Sequence, residues 1–320
     1  MDLEGKNIVI GLCGSIAAYR CCDFIRELYR LGASKVMVVT TPKAEAFVPP
    51  LTLQALARQP VYTDDLQVTE DGTPAHIALA QQGDLMVIFA ATANTIAKVS
   101  HGLADDIVST TALTFTGKPV VIVPAMNTRM WDNPMTQQNI ERLKAIETID
   151  FVEPYCGDLA CGEHGAGHIA DQEQVLQVIY GKLHPNRGNL QGIKALVTTG
   201  GTKEPIDPVR QITNRSSGKM GLALADELYA MGAEVTLVST FMVHKPYSVI
   251  VCEQSQDMQE TLEDYFPTCD ALFMAAAVSD FRLTKPSKQK IKRSGRSALT
   301  LELESTDDVI GRLAKLKLPG

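Results

Sequence analysis

Asn127, Arg129 and Trp131, the chain's single tryptophan, follow an apolar run over 119–123 and a proline at 124. A buried parallel strand that ends this way lifts those side chains past its carboxyl edge, where open α/β sheets bind ligands. A strand-to-helix turn whose tryptophan closes the core would read the same way. Other stretches add to the case for a site. Gly11, Gly14 and Ser15 stand between a strand over 7–12 and a helix running to about Leu31, with Gly32 as its stop. A tight turn at a helix N-terminus binds anions through free backbone N–H groups. The turn lacks the Gly-x-Gly-x-x-Gly spacing of dinucleotide sites, so a mononucleotide phosphate suits it better.

Three groups of hydroxyls follow. Thr40 and Thr41 end the next strand, Ala91-Thr92-Ala93-Asn94-Thr95 starts a helix after a strand over 84–90, and Ser109-Thr110-Thr111 forms the third. The second group is a candidate phosphate or ribityl contact. His76 sits on a short helix, where a lone histidine caps or packs as readily as it moves protons. Cys161 lies in 157–168, a stretch with four glycines and the composition of a mobile lid. Cys156 and Cys161 are too far apart for a good zinc pair, and His164 and His168 only partly mend that.

A length of 320 residues suggests two domains, and 45% hydrophobic with 21% charged residues is ordinary for a globular enzyme. A net charge of −7 argues against a nucleic-acid partner. No apolar stretch reaches the roughly 18 residues of a membrane span, and the acidic N-terminus enters a strand directly, unlike a signal peptide. Seven scattered cysteines do not make a disulfide framework, which points to a reducing cytoplasm. Residues 135–145 read as a helix, 148–152 as a short strand and 172–182 as a helix that closes a first domain, residues 1–183. A polar linker over 184–189 leads to a second, residues 190–320. There a strand over 194–199 meets the turn Gly200-Gly201-Thr202. A long loop leads to Ser216-Ser217-Gly218, and Lys219 opens a helix reaching Met231. A strand over 270–277 delivers Asp280, and a basic loop over 285–293, solvated by default, carries Lys290 and Lys292.

The motifs Gly14-Ser15-Ile16-Ala17-Ala18-Tyr19, His76-Ile77, Pro124-Ala125-Met126-Asn127-x-x-Met130-Trp131 and Ala160-Cys161-Gly162 resemble the flavin-containing cysteine decarboxylases, in particular the FMN-dependent 4'-phosphopantothenoylcysteine decarboxylases. Gly200-Gly201-Thr202 through Arg210, Ile212 through Gly221, Ala275-Ala276-Ala277-Val278-Ser279-Asp280 and Lys290-Ile291-Lys292 resemble the CTP-dependent phosphopantothenate–cysteine ligases. Their order along the whole chain is that of the bacterial bifunctional coenzyme A biosynthesis family.

That resemblance implies two doubly wound, Rossmann-like parallel-sheet domains, the first a flavodoxin-like FMN-binding one. FMN would be held by Gly14, Ser15, Ile16, Thr40, Ala91, Thr92, Ala93, Asn94, Ser109 and Met126. Asn127 would hold the substrate carboxylate, His76 would assist thiol oxidation and Cys161 would return a proton to the enethiolate. In the second domain Asn214 would hold an acyl-cytidylate. Arg210, Ser216, Ser217, Gly218, Lys219, Ala276, Ala277 and Lys292 would bind substrate or CTP, with Lys290 offsetting phosphate charge and Asp280 contacting nucleotide or Mg²⁺. The substrates would be 4'-phosphopantothenate, cysteine and CTP, and the assembly would be a homo-oligomer with trimeric flavin domains and dimeric ligase domains.

The chain departs from the family's pattern in two places. His168 and Ile169 stand where members usually carry Arg and then Met or Leu, which would weaken loop closure, and ligases of this type continue past residue 320, which implies an incomplete second domain. Two other readings share the motifs: a flavin-binding regulatory protein with a degenerate second half, and a peptidyl-cysteine decarboxylase.

Overall fold

The computed structural model describes residues 2–158, 164–292 and 298–316. The chain forms two compact units, Met1–Leu183 and His184–Gly320. The six main strands of the first are β1 (Asn7–Leu12), β2 (Lys35–Thr40), β3 (Val61–Tyr62), β4 (Leu85–Ala91), β5 (Val120–Pro124) and β6 (Ile149–Phe151). They pair in parallel in the order β3-β2-β1-β4-β5-β6. β4 is apolar and buried along its whole length, as a parallel strand covered on both faces must be. In β1 the side chains alternate. Ile8, Ile10 and Leu12 enter one core with Phe24, Ile25 and Leu28, while Val9 enters the other with Met86, Ile96 and Val108. The helix Cys21–Arg30 buries Cys21, Phe24, Ile25 and Leu28, the i, i+3, i+4, i+7 stripe of an amphipathic helix.

That helix does not begin at Ser15. Ser15 caps a 3₁₀ turn, Ile16–Arg20, and the α-helix starts at Cys21. The later helices, Pro134–Lys144 and Gln172–Leu183, fall within a residue or two of their expected bounds. The glycine-rich stretch contributes an antiparallel pair, β7 (Tyr155–Asp158) and β8 (His164–His168). Cys161 lies outside the described residues.

In the second unit, β9 (Lys194–Thr199), β12 (Glu234–Ser239), β13 (Ser248–Val251) and β14 (Ala271–Met274) form a parallel sheet in the order β13-β12-β9-β14. Two antiparallel hairpins are appended: β10 (Lys203–Asp207) with β11 (Arg210–Thr213), and β15 (Phe281–Leu283) with β16 (Leu303–Ser305). The expected linker is no open tether, because the buried His184 hydrogen-bonds Glu227 Oε1 at 3.0 Å and the Gly188 amide donates to the Met231 carbonyl. Among the described residues no helix is long and apolar enough to cross a membrane.

The helix Lys219–Ala230 lies so close to β9 that a Cβ on Gly221 would stand 2.6 Å from Thr199 Cβ and 2.7 Å from the Thr198 carbonyl oxygen. Helix propensity favours alanine over glycine by about 1 kcal/mol, and overpacking against a backbone atom costs about 1–3 kcal/mol. We therefore predict that Gly221→Ala lowers stability by a net of up to ~2 kcal/mol, seen as a lower Tm of the second unit by calorimetry. A stabilised variant would mean the helix does not approach the strand this closely.

Candidate active sites at the two sheet edges

Strand order in the first unit reverses between β1 and β4, so the chains leaving these strands diverge and open a crevice at the carboxyl edge. Beyond β1, the Cys13 amide donates to the Phe89 carbonyl at 3.0 Å, and Ser15 Oγ accepts from the Ala17 amide at 3.4 Å. Gly14 is required by space: a Cβ there would stand 2.4 Å from Lys43 Cβ and 2.8 Å from its carbonyl carbon. At the end of β4 the backbone turns sharply. Ala90 adopts φ +55°, a left-handed conformation costly for a residue with a Cβ, and the pairing with β5 shifts register between Phe89 and Ala91. Thr92 then caps the helix Ala93–His101 by accepting from the Thr95 amide at 3.3 Å.

A cavity of about 400 Å³ occupies this edge, lined by Gly14, Thr41, Lys43, Thr92, Asn94 and Lys98 among others. The hydroxyls of Thr40 and Thr41 are buried and have no hydrogen-bond partner among the described residues. Lys98 is already matched, at 2.6 Å from Asp105 and 2.7 Å from Asp106. Burial alone would lower its pKa, but the two carboxylates outweigh that and hold it raised. Anion binding in this cavity therefore falls to backbone N–H groups at a helix start, to neutral hydroxyls and to the exposed Lys43 among its lining residues. Ser109 is otherwise occupied. Its side chain completes a capping box with Asp106 at the start of the helix Ile107–Thr114, so its hydroxyl is spent inside the fold, contrary to the expectation of a cofactor contact.

A second cavity, about 390 Å³, is lined by Ser15, Ile16, Tyr19, Arg20, Met126, Asn127, Gly167 and His168 among others. Asn127 Oδ1 accepts from the Arg129 amide at 2.8 Å and so caps the single turn Thr128–Trp131. Trp131 is buried in the core beneath, as the core-closing reading requires, while Asn127 lines the cavity. Gly167, at φ +128°, accepts from the Met126 amide at 3.1 Å, and a Cβ there would stand 2.3 Å from the Met126 carbonyl oxygen. β8 thus lies directly against the Asn127 turn. The His168 ring lies tilted by 32° against that of Tyr155 with ring centres 4.7 Å apart, and its Nδ1 is buried without a hydrogen-bond partner among the described residues. The Tyr19 hydroxyl raises the pKa of Arg20, and Arg20 has no carboxylate partner among the described residues.

Sequence reasoning missed Arg20 and Lys43, although Arg20 closes the turn that Ser15 opens. His76 lines neither cavity. Cys13 and Cys21 are packing residues, their thiol pKa values pushed up by burial, that of Cys13 to about 12.

The second unit builds its own edge where β9 and β14 end. The Ala277 amide donates to the Gly200 carbonyl at 2.7 Å, the Thr202 amide returns to the Ala277 carbonyl at 3.2 Å, and the Ser279 amide donates to Thr202 Oγ1 at 2.9 Å. Asn214 Nδ2 donates to the Val278 carbonyl at 3.0 Å and the Ala277 carbonyl at 3.4 Å. A Cβ on Gly201 would meet the Asn214 carbonyl oxygen at 2.7 Å. Gly218 reaches φ +70° at the start of the helix Lys219–Ala230 and accepts from Thr199 Oγ1 at 2.7 Å, while its amide donates to Ser216 Oγ. Asn214, Ser216, Gly218, Ala276 and Ala277 therefore converge on one edge, beside free helix N–H groups. Arg210 and the backbone of Ile291, which lies between Lys290 and Lys292, are gathered by Asp207. Asp280 is exposed, and no group of three or more His, Cys, Asp or Glu that could hold a metal ion occurs among the described residues, so no ligand set supports it as a metal site.

Residues 1–184 match the Flavoprotein family model, and residues 190–320 match that of the DNA/pantothenate metabolism flavoprotein C-terminal domain. The chain is 37% identical over 320 residues to the coenzyme A biosynthesis bifunctional protein CoaBC of Haemophilus influenzae, covering 99% of this chain and 79% of that one. It is 39% identical over 324 residues to the Mycobacterium tuberculosis protein of the same name, covering 98% and 76%. The crystal structure of the FMN-dependent cysteine decarboxylase SpaF is 30% identical, with a TM-score of 0.48 over 55% of this chain and 99% of that chain. With two family models in tandem and relatives that match nearly all of this chain at this identity, the chain belongs to the coenzyme A biosynthesis bifunctional protein family, a flavoprotein unit followed by a pantothenate-metabolism unit.

Proposed function

We propose that this chain is a cytoplasmic enzyme of coenzyme A synthesis with two activities: CTP-dependent ligation of cysteine to 4'-phosphopantothenate in its second unit, and FMN-dependent decarboxylation of the product to 4'-phosphopantetheine in its first. One observation carries the reading. The adjacent residues Gly14 and Ser15 open onto different cavities of a single sheet edge, one rich in hydroxyls, the other bearing Asn127 and Arg20. A phosphate-bearing cofactor and an anionic substrate can thus be held side by side.

The unpartnered hydroxyls of Thr40 and Thr41 and the N–H groups at the start of Ala93–His101 fit the phosphate and ribityl chain of FMN. Gly14, Thr92 and Asn94 would contact that end, with Ile16, Ala91, Ala93 and Met126 packing against the group. Loss of carbon dioxide from a cysteine amide strands an electron pair unless the thiol is first oxidised, and bound FMN supplies that reversible hydride acceptance. The chain's own residues do the rest. The Asn127 amide holds the departing carboxylate, with Arg20 adding positive charge, and Cys161 protonates the enethiolate carbon. His76, which lines neither cavity of its own chain, would serve the site of a neighbouring copy in a homo-oligomer.

For ligation, the phosphopantothenate carboxylate attacks the CTP α-phosphorus, pyrophosphate leaves, and the cysteine amine then displaces CMP. Asn214 would hold the acyl-cytidylate beside the Ala276 and Ala277 backbone. Ser216, Ser217, Gly218 and Lys219 at the helix start would receive the triphosphate. Lys290 and Lys292 would offset developing charge, and Mg²⁺ would arrive on the nucleotide phosphates.

Incubating the chain with 4'-phosphopantothenate, cysteine, CTP and Mg²⁺ should yield 4'-phosphopantetheine by mass spectrometry. Product lacking carbon dioxide loss, or none at all, would sink one or both assignments. Thr40→Val, which deletes one hydroxyl at constant volume, should raise the FMN Kd about tenfold, equivalent to ~1.4 kcal/mol, in a flavin-fluorescence titration; an unchanged Kd would remove Thr40 from the cofactor site. Cys161→Ser should slow decarboxylation by at least ~100-fold and leave ligation intact. Asn214→Asp should stop acyl-cytidylate formation without touching decarboxylation, and loss of both activities would show that the halves are not independent.

A further inference from the structure

The ammonium groups of Lys290 and Lys292 are exposed, so their own side chains do not fix the loop that carries them. Asp207 does. It ends β10 with its side chain fully buried. Its Oδ1 accepts from the Val209 amide at 2.8 Å and the Arg210 amide at 2.9 Å, and its Oδ2 accepts from Arg210 Nη1 at 3.1 Å and the Ile291 amide at 3.1 Å. Ile291 is 84 residues further along and lies between the two lysines. Arg210 Nη1 also donates to the Ile291 carbonyl at 3.2 Å, and the Ser287 amide donates to the Ile206 carbonyl at 2.9 Å. The basic loop is therefore fastened to the β10–β11 hairpin at Ser287 and at Ile291, and at Ile291 Asp207 holds both the amide and Arg210, the donor to the Ile291 carbonyl.

The charge on that carboxylate needs a reason. The turn from Asp207 to Arg210 uses only Oδ1, and an asparagine closes such a turn equally well. A buried carboxylate costs several kcal/mol unless its oxygens are fully engaged. Burial would raise the Asp207 pKa, but the Val209, Ile291 and Arg210 amides and the Arg210 charge outweigh it and hold the group below the usual carboxylate range. What a carboxylate adds over an amide is the second acceptor, and that oxygen is the one engaged by Arg210 and by Ile291.

We propose that Asp207 is a positioning residue for the ligase reaction, holding the loop at Ile291 so that Lys290 and Lys292 are presented together to the nucleotide phosphates. This rests on the ligase reading of the second unit. Asp207→Asn preserves the turn acceptor and replaces Oδ2 with an amino group that cannot accept from Ile291. In the full-length chain, tryptic cleavage after Lys290 and Lys292 should accelerate about tenfold, the weight of a charge-assisted hydrogen bond. The KM for CTP should rise about tenfold, with decarboxylation of supplied 4'-phosphopantothenoylcysteine unchanged.

Ile291→Pro removes the same bond from the donor side and should give the same two results, read after Lys292 alone; it keeps the test open should Asp207→Asn fail to fold. Unchanged cleavage in the folded variant overturns the tether. Faster cleavage with an unchanged KM overturns the positioning role, and so does a uniform rise in cleavage across the chain with lost decarboxylation, which marks a structural residue. No CTP turnover by the unsubstituted chain overturns the proposal together with the reading beneath it.

Discussion

Leu12 lies opposite Phe89 where β1 meets β4, and past that pair the two chains depart in different directions. One continues through Gly14 and Ser15 into a 3₁₀ turn, the other through a left-handed Ala90 into the helix capped by Thr92. This divergence follows from the order of strands in a doubly wound sheet, not from any one side chain. Both candidate cavities of the first unit depend on it. The second unit repeats the constraint with β9 and β14, but there the chains are laced back together through Gly200, Thr202 and Ala277, so the recognition groups lie on appended segments.

The polar inventory of the first edge follows from its depth. A buried hydroxyl without a partner costs about 1–3 kcal/mol, and Thr40 and Thr41 both carry that cost. The strained Ala90 adds to it. Of the two lysines that line the cavity, Lys98 is neutralised by Asp105 and Asp106, and Lys43 is exposed. A ligand that brings acceptors and donors of its own would satisfy these groups, and a mononucleotide would do so better than a lone anion, its sugar chain offering partners to hydroxyls and its phosphate to helix N–H groups.

The parallel cores were legible because burial on both faces imposes long apolar runs, and β1, β4 and β5 can hardly be read otherwise. The β10–β11 hairpin was not. β10 reads Lys-Glu-Pro-Ile-Asp, with two acids and a proline in five residues, which looks like a loop. Yet Glu204 is buried and accepts from the Ser255 amide at 2.9 Å, and Asp207 collects four donors. Carboxylates that serve distant backbone amides leave no periodic trace. Ser109 failed for the opposite reason: its hydroxyl belongs to a local cap, a role that spacing to Asp106 announces. Asn127 was legible as a residue lifted past the sheet edge because the strand before it is unmistakable; Arg20 was hidden by a helix start placed at Ser15 and not at Cys21.

The two units then treat charge differently, and the difference matches what each would hold. A cofactor that stays through many turnovers is served by fixed neutral donors, since a bare cation at a buried edge would itself need neutralising, as Lys98 does. A nucleotide that enters as a triphosphate and leaves as a monophosphate needs charge that is strong when engaged and solvated when not. Exposed lysines on a loop meet that need only if the loop is held in place by something other than the lysines. In this chain the holding group is a carboxylate on the neighbouring hairpin, far from either ammonium in sequence and shielded from water. That separation lets the cations remain hydrated between turnovers without losing their position.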